Sequence, residues 1–143
     1  MIAREKVVID ASVVVKWYVP EAASDRAARV LTSNYEFVAP DLLLSEFGNV
    51  LWKKTRRQEL PAVDASEILI QFIAAGQITY VSILSLVQSA FEIAVRYNHP
   101  IYDSMYLAVA VAQDCRLVTA DERLLRAFRD TPFEHLIMSL TAF

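Results

Sequence analysis

Short runs of apolar, mostly β-branched residues alternate along the chain with longer amphipathic stretches, which predicts strands followed by helices. Strands are predicted at 6–10, 36–39, 78–81, 116–119 and 135–139. Helices are predicted at 21–32, from Pro40 to about Gln58, after Pro61, from a Ser85 cap to before Pro100, and at 102–114 and 121–128. This order predicts a three-layer α/β domain in which helices flank a central parallel sheet of about five strands.

Two aspartates follow predicted strands. Asp10 ends the first strand, and Asp121 lies just beyond the strand 116–119. Functional residues of open parallel sheets gather beyond the carboxyl ends of the strands, so we expect both carboxylates at one edge. Each also has an ordinary structural explanation, because aspartate binds backbone amides in turns and at helix starts. Thr119 and Glu122 even have the spacing of a capping box.

Two further carboxylates lie on predicted helices. Glu46 flanks the apolar arc of its helix, and Lys53 in the same stripe is nearly two turns away, too far for a routine helical ion pair. Asp103 stands in the first turn of a nearly all-apolar helix, where a carboxylate needs a compensating charge or several donors. For Asp103 taken alone, a structural and a functional role are equally open.

Together these carboxylates are the ingredients of a hard-cation site. Mg²⁺ and Mn²⁺ prefer oxygen ligands and retain waters that can act as nucleophiles on a phosphoryl group. His99 and His135 stand apart in sequence and are interpreted as structural or surface residues, and no Ser–His–Asp set is evident. Carboxylates that converge without a metal ion are expected to raise one another's pKa.

Composition limits the alternatives. The 143 residues are enough for one domain over 1–143 that folds without disulfides. Hydrophobic residues make up 55% of the chain, yet the longest clean apolar run, 106–112, is far shorter than the ~20 residues of a membrane span. We therefore expect elements that are buried on several sides, an interface with another chain that covers part of the apolar surface, and no membrane segment. Gly48 and Gly76 are too few for a glycine-rich phosphate loop, which excludes P-loop and dinucleotide-binding sites.

Charge and cysteine content add two expectations. The net charge of -3 provides no general attraction to nucleic acid, so basic residues must be considered locally. The single Cys115 is predicted to be buried and is compatible with a reducing cytoplasm. The beginning of the sequence lacks a basic stretch followed by a long apolar core, so no signal peptide is expected. A cytoplasmic location is the resulting prediction.

Four segments, in order, resemble the motifs of PIN-domain proteins of the VapC toxin type. VVIDASVVVKWYVPE is similar to the opening motif, in which Ser or Thr follows the aspartate by two residues. PDLLLSEFGNVLWK is similar to the second motif, YDSMYLAVA to the third and LVTADERL to the fourth. Each motif alone is weak, but four in order on the expected elements make the resemblance specific. It covers essentially the whole chain.

The resemblance implies a five-stranded parallel sheet, Mg²⁺- or Mn²⁺-dependent endoribonuclease activity on an RNA substrate, a homodimer, and inhibition by a small antitoxin. The implied catalytic and metal-binding residues are Asp10, Glu46, Asp103 and Asp121. Glu46 would ligate the ion or orient the attacking water. Donors that fix the carboxylates would be Ser12, Asn49 and Thr119.

Contacts to RNA are predicted less specifically. Lys53, Lys54, Arg56 and Arg57 cluster at the end of the helix that carries Glu46. They suit either a solvated helix end, where cations favour the dipole, or a phosphate-binding patch near the catalytic residues. Lys16 is a further candidate. Its neighbours Trp17 and Tyr18 are interpreted as core or dimer contacts rather than as RNA-stacking residues.

Three other functions are alternatives to an RNA-cleaving toxin. A phosphoaccepting receiver domain would need clustered acids after the first strand and a lysine after a late strand, and neither is present. A non-catalytic interaction module of the same fold would not need intact carboxylates. A DNA-directed or structure-specific PIN nuclease is the closest alternative, because no sequence feature identifies recognition of the 2′-hydroxyl.

Overall fold

The computed structural model describes residues 3–143, which form five strands and seven α-helices. The strands are β1 (Glu5–Ile9), β2 (Tyr35–Pro40), β3 (Ile78–Val81), β4 (Arg116–Thr119) and β5 (Ile137–Ser139). The helices are α1 (Ala11–Tyr18), α2 (Ser24–Thr32), α3 (Leu42–Arg56), α4 (Ala62–Ala75), α5 (Ile83–Tyr97), α6 (Ile101–Ala112) and α7 (Glu122–Ala127). Short 3-10 turns at Glu134–Leu136 and Leu140–Ala142 flank β5.

The five strands form one parallel sheet in the order β3-β2-β1-β4-β5. Its centre is apolar, and Val7, Val8 and Ile9 of β1 are completely buried. Such continuous apolar strands are typical of a parallel sheet covered on both faces. The predicted three-layer α/β fold is therefore confirmed.

The helices form two packed groups. On one side α1 packs against α2 and α3, and α3 packs against α4 and β2. The other group consists of α5 and α6, which pack against each other, with α6 also covering β1, β2 and β4. As its all-apolar sequence predicts, α6 is buried from Ser104 to Ala110.

Most boundaries lie within one or two residues of the predictions, as for α3, which was predicted from Pro40 and begins at Leu42. The clearer differences are four. The sequence analysis predicts no helix at Ala11–Tyr18, because these β-branched residues resemble a strand, whereas the structure has α1 there, capped by Asp10 and packed against α2 and α3. Helix α2 begins at Ser24 rather than at position 21, after Ala23 adopts a left-handed conformation. The cap of α5 is Ser82, whose Oγ accepts a hydrogen bond from Leu84 N (3.2 Å), rather than Ser85. Strand β5 starts later than predicted, since a 3-10 turn occupies 134–136.

Other expectations concern single residues. Cys115 is buried, as predicted. Trp17 donates a hydrogen bond to the carbonyl of Ala27 (2.8 Å), and Tyr18 packs edge-on against Phe47 at 6.0 Å, so both aromatics belong to the packed interior. Within residues 3–143, no helix is long and apolar enough to cross a membrane.

Candidate active site

The candidate site lies where the order of strands in the sheet reverses. From β1 the chain continues to β2 on one side, whereas from β4 it continues to β5 on the other side. Since β1 and β4 are neighbours in the sheet, a crevice opens beyond their carboxyl ends. Ile9 and Val118 are paired in register, so Asp10 and Thr119 emerge side by side at this crevice.

An open cleft of about 440 Å³ occupies this position and is named here the acidic cleft. All four predicted carboxylates line it, which confirms that Asp10 and Asp121 share one edge of the sheet. Ser12 and Asn49 also line the cleft. Four polar or aromatic lining residues were not predicted from the sequence as site residues, and they are Tyr102, Tyr106, Arg123 and Ser45. The four carboxylates exceed the two lining cations, Lys53 and Arg123, so the cleft is negative.

Two hydroxyl groups hold the Asp10 carboxylate. Ser12 donates from its Oγ (2.5 Å) and its backbone N (3.1 Å) to Oδ1, and Thr119 donates from Oγ1 to Oδ2 (2.5 Å). The same hydroxyl oxygens accept from the backbone beyond β4, Ser12 Oγ from Ala120 N (2.9 Å) and Thr119 Oγ1 from Asp121 N (3.0 Å). The fold therefore places Ser12 and Thr119 where they fix both Asp10 and the loop that carries Asp121.

The charge of Asp10 is costly in this environment. Burial raises the pKa of Asp10 to about 6, although the hydrogen bonds from Ser12 and Thr119 act in the opposite direction. The negative charges of Asp121 and Glu46 raise this pKa further. The expected mutual repulsion is thus present, but loss of solvent is the larger cause.

Glu46 projects from α3 into the cleft and is the least satisfied of the carboxylates. Its Oε1 is buried and has no hydrogen-bond partner within the described residues. The Tyr106 hydroxyl faces it without completing a well-aligned hydrogen bond and is likewise buried without a partner. Burial raises the pKa of Glu46, the nearby Tyr106 hydroxyl acts in the opposite direction, and the charges of Asp103 and Asp121 add to the increase. Tyr106 follows Asp103 by three residues on α6, a helical spacing that could have identified it.

The other two carboxylates have partners. Asp121 caps α7, and its Oδ1 accepts from Arg123 N (2.9 Å), so Asp121 rather than Thr119 is the capping residue. Asp103, in the first turn of α6, has its Oδ2 2.6 Å from Nε2 of His99. The interpretation of His99 as an isolated residue was therefore wrong, because the turn before α6 brings it to Asp103.

The carboxylate oxygens of the acidic cleft are of the kind that a divalent ion prefers. Oxygen ligands and an orphaned, buried carboxylate oxygen on Glu46 suit a hard cation. Within residues 3–143, however, no three carboxylate, imidazole or thiol groups lie close enough to hold an ion as they stand. Mg²⁺ is commonly bound through one or two carboxylates and several waters, so the residues fit a hydrated ion rather than a closed protein cage.

The predicted basic cluster is divided by the fold. Lys53 lines the acidic cleft and also an adjoining cleft of about 240 Å³, named here the basic cleft. Four cations line this basic cleft, and they are Lys16, Lys53, Lys54 and Arg57. Lys16 and Lys54 both bind Glu21, each at 2.9 Å. Arg56 lies elsewhere, over the ring of Trp52 at 4.6 Å.

Asn49 differs from the other predicted donors. It lines the acidic cleft on α3, one turn from Glu46. Among the described residues, no hydrogen bond joins its side chain to any of the four carboxylates. Its role in fixing the carboxylates remains a prediction.

Comparison with known proteins places this geometry in context. Residues 7–130 match the family model described as the PIN domain. The chain is 35% identical over 127 residues to Ribonuclease VapC3 of Pyrobaculum aerophilum, covering 86% of this chain and 95% of that protein.

Solved structures also share the fold. Mycobacterium tuberculosis VapC20, a Sarcin-Ricin loop cleaving toxin, superposes with a TM-score of 0.68 at 16% identity and covers 85% of this chain and 94% of its own. VapBC2 from Rickettsia felis, bound to a DNA fragment from its promoter, gives a TM-score of 0.61 at 12% identity over 94% of this chain and 98% of its own. At these identities the structural likeness concerns the fold alone.

Proposed function

Because the chain belongs to the PIN-domain family and to its VapC-type ribonucleases, we propose that it is a divalent-metal-dependent endoribonuclease, the toxin of a toxin–antitoxin pair. The observation that carries the proposal is Oε1 of Glu46, buried without a partner in a cleft lined by three further carboxylates. A buried carboxylate in this state calls for a cation.

The proposed cofactor is Mg²⁺ or Mn²⁺. Asp10, Asp103 and Asp121 would hold it, directly or through water, and Glu46 would bind it or orient the attacking water. When bound, the ion would supply the positive charge that activates water and stabilises charge on the phosphoryl group. Ser12 and Thr119 keep Asp10 in one orientation, so its carboxylate needs no rearrangement of its own.

Hydrolysis of an RNA phosphodiester also needs a proton acceptor. The Glu46 carboxylate suits this role, because burial raises its pKa and makes it a better base than an exposed glutamate. Water would attack phosphorus opposite the leaving oxygen, and Glu46 would accept the proton that the water releases. The P–O bond to the leaving oxygen would break, and that oxygen would take up a proton from solvent. Lys53, on the wall of the same cleft, would meet the charge of the phosphate.

The RNA backbone is proposed to continue from the acidic cleft into the basic cleft, which share Ser12, Val50 and Lys53. Lys53 and Arg57 are the main candidates for phosphate contacts, because no acidic group of the described residues pairs with either one. Lys16 and Lys54 are less available, because both share an ion pair with Glu21. Arg56, which stacks on Trp52, is not expected to reach the RNA.

Two protein partners are proposed. The outer face of α5 carries an exposed apolar stripe, spaced by four residues, formed by Ile83, Val87, Phe91 and Val95. A single-helix stripe of this kind can pair with its own copy about a twofold axis, which supports a homodimer. A small antitoxin is the second partner, and exposed Val63, Ile70 and Ile73 on α4 offer it a separate apolar surface. The proposed location is the cytoplasm.

Cleavage assays test the proposal. We expect the purified protein to cut a single-stranded RNA in Mg²⁺ or Mn²⁺ and to stop in EDTA. Asp103→Asn should remove the activity while circular dichroism shows an unchanged fold. A DNA of the same sequence serves as the control for the DNA-directed alternative. Equal RNA cleavage in EDTA would contradict the metal-dependent mechanism, and preferential cleavage of DNA would contradict the substrate.

A further inference from the structure

His99 is tied to the candidate site by a short contact. Its Nε2 lies 2.6 Å from Oδ2 of Asp103, and the His99 side chain is only 16% exposed. The imidazole ring also packs edge-on against Phe128, with ring centroids 5.1 Å apart, and Phe128 itself is completely buried. His99 therefore occupies a fixed place between the packed interior and one carboxylate of the acidic cleft.

The backbone around His99 is equally constrained. Helix α5 ends at Asn98 in a left-handed conformation (φ 51°), and His99 N donates to the carbonyl of Ala94 (3.1 Å). Pro100 follows immediately and caps α6. Because the turn is held on both sides, little conformational entropy is lost when the imidazole meets Asp103.

We propose that His99 is a positioning residue that orients Asp103 for a divalent cation; the inference rests on the proposed function. An imidazole that carries a hydrogen on Nε2 donates it to Oδ2 of Asp103, which occupies that oxygen and leaves Oδ1 for the ion. Carboxylates that ligate metals are held by such partners, and removal of the partner weakens metal binding by roughly 10–100-fold. Asp103 alone among the four carboxylates obtains its donor from an imidazole.

Two substitutions separate positioning from packing. His99→Phe keeps an aromatic ring against Phe128 but removes the donor, whereas His99→Gln keeps a donor near the position of Nε2. His135→Ala is the control, since His135 does not line the acidic cleft. Isothermal titration calorimetry with Mn²⁺ alone measures the dissociation constant, and thermal melting in EDTA measures stability without metal.

We expect His99→Phe to weaken Mn²⁺ binding by about 10–100-fold, His99→Gln to recover most of the affinity, and His135→Ala to match the wild type. Wild-type Mn²⁺ affinity in a folded His99→Phe protein would overturn the positioning role and leave the proposed nuclease intact. The positioning role would also be overturned if His99→Phe melts at a lower temperature in EDTA, His99→Gln does not restore that temperature, and the Mn²⁺ affinity is unchanged. No Mn²⁺ binding by the wild type would overturn the proposed function and this inference with it.

Discussion

Asp10 illustrates how single residues prepare the site. Its carboxylate is nearly buried, yet it stays in place because Ser12 and Thr119 each donate a hydroxyl hydrogen to it. Those donors are fixed in turn by backbone amides beyond β4. The hydrogen bonds stabilise the ionised form without offsetting the loss of solvent, since the pKa of Asp10 is still raised to about 6. A bound cation would remove this penalty.

The raised pKa predicts the direction of a pH effect at Asp10. A carboxyl group with a raised pKa binds more protons in the native than in the unfolded state, so stability falls as pH rises from about 4 to 6. Above that range the metal-free protein carries a penalty of about 3 kcal/mol, from the shift between 3.8 and about 6. Asp10→Asn, which has no such charge, should be the more stable protein in EDTA at pH 7.5.

The measurement is urea unfolding of wild type and Asp10→Asn in EDTA at pH 7.5 and pH 5. The advantage of the variant should shrink by about half at pH 5, where most native Asp10 is protonated. Asp121→Asn is a matched control, because Asp121 is more exposed and its main structural contact is the α7 cap. A wild type that is more stable than Asp10→Asn at pH 7.5 without metal would contradict the assignment of a buried, destabilising charge.

At the scale of elements, α3 explains why the basic cluster divides. An α-helix turns by about 100° per residue, so positions seven and eleven residues after Glu46 return to its face. Those positions are Lys53 and Arg57, whereas Arg56 is rotated away by roughly 80°. The cleft residues of α3 thus form one line from carboxylate to cations. Arg56, off this line, stacks on Trp52.

The division predicts different effects of neutralising the arginines and lysines of α3. Each lost phosphate contact flattens the logarithmic salt dependence of single-stranded RNA binding by about 0.7. We expect Lys53→Gln with Arg57→Gln to reduce the slope by about 1.4, while Arg56→Gln leaves it unchanged. Binding is measured by fluorescence anisotropy in EDTA, which prevents cleavage. An equal change of slope for Arg56→Gln would show that the cations act as a diffuse charged helix end.

At the scale of the whole molecule, the core buries only part of the hydrophobic side chains. Several large hydrophobic side chains remain exposed, and on α5 they form a continuous stripe that includes Val87 and Phe91. Contiguous apolar surface of this kind is uncommon on proteins that stay monomeric. We therefore expect part of the surplus of hydrophobic residues to lie in an interface.

This surface predicts the behaviour of the isolated protein in solution. We expect light scattering to give the mass of a dimer for the wild type and of a monomer for Phe91→Asp, because a buried, unpaired charge opposes association. Val63→Asp on α4 is the matched control, since Val63 is equally apolar and exposed but lies outside the stripe. A monomeric wild type at micromolar concentration would contradict the dimer, as would a dimeric Phe91→Asp protein.

Much of the fold and the identity of the site followed from local patterns. Apolar runs identified all five strands, and the signal has its physical basis in the central strands, such as β1, whose residues are buried on both faces. The position of Asp10 and Asp121 at strand ends sufficed to place them at one edge, because parallel strands end together. Helix α1 was the exception: its β-branched sequence favours a strand locally, and packing against α2 and α3 overrides that preference.

The tertiary structure alone decided which groups meet. Glu21 lies 33 residues from Lys54 and yet accepts a hydrogen bond from it, and Ser12 reaches across 108 positions to the loop after β4. The contact between His99 and Asp103 is different, because the two residues are four positions apart and the spacing alone could have indicated it. The periodicity of a sequence indicates the face of a helix or strand on which a side chain lies. Pairing depends on distances between elements, and burial decides whether a charge such as that of Glu46 is left without a partner.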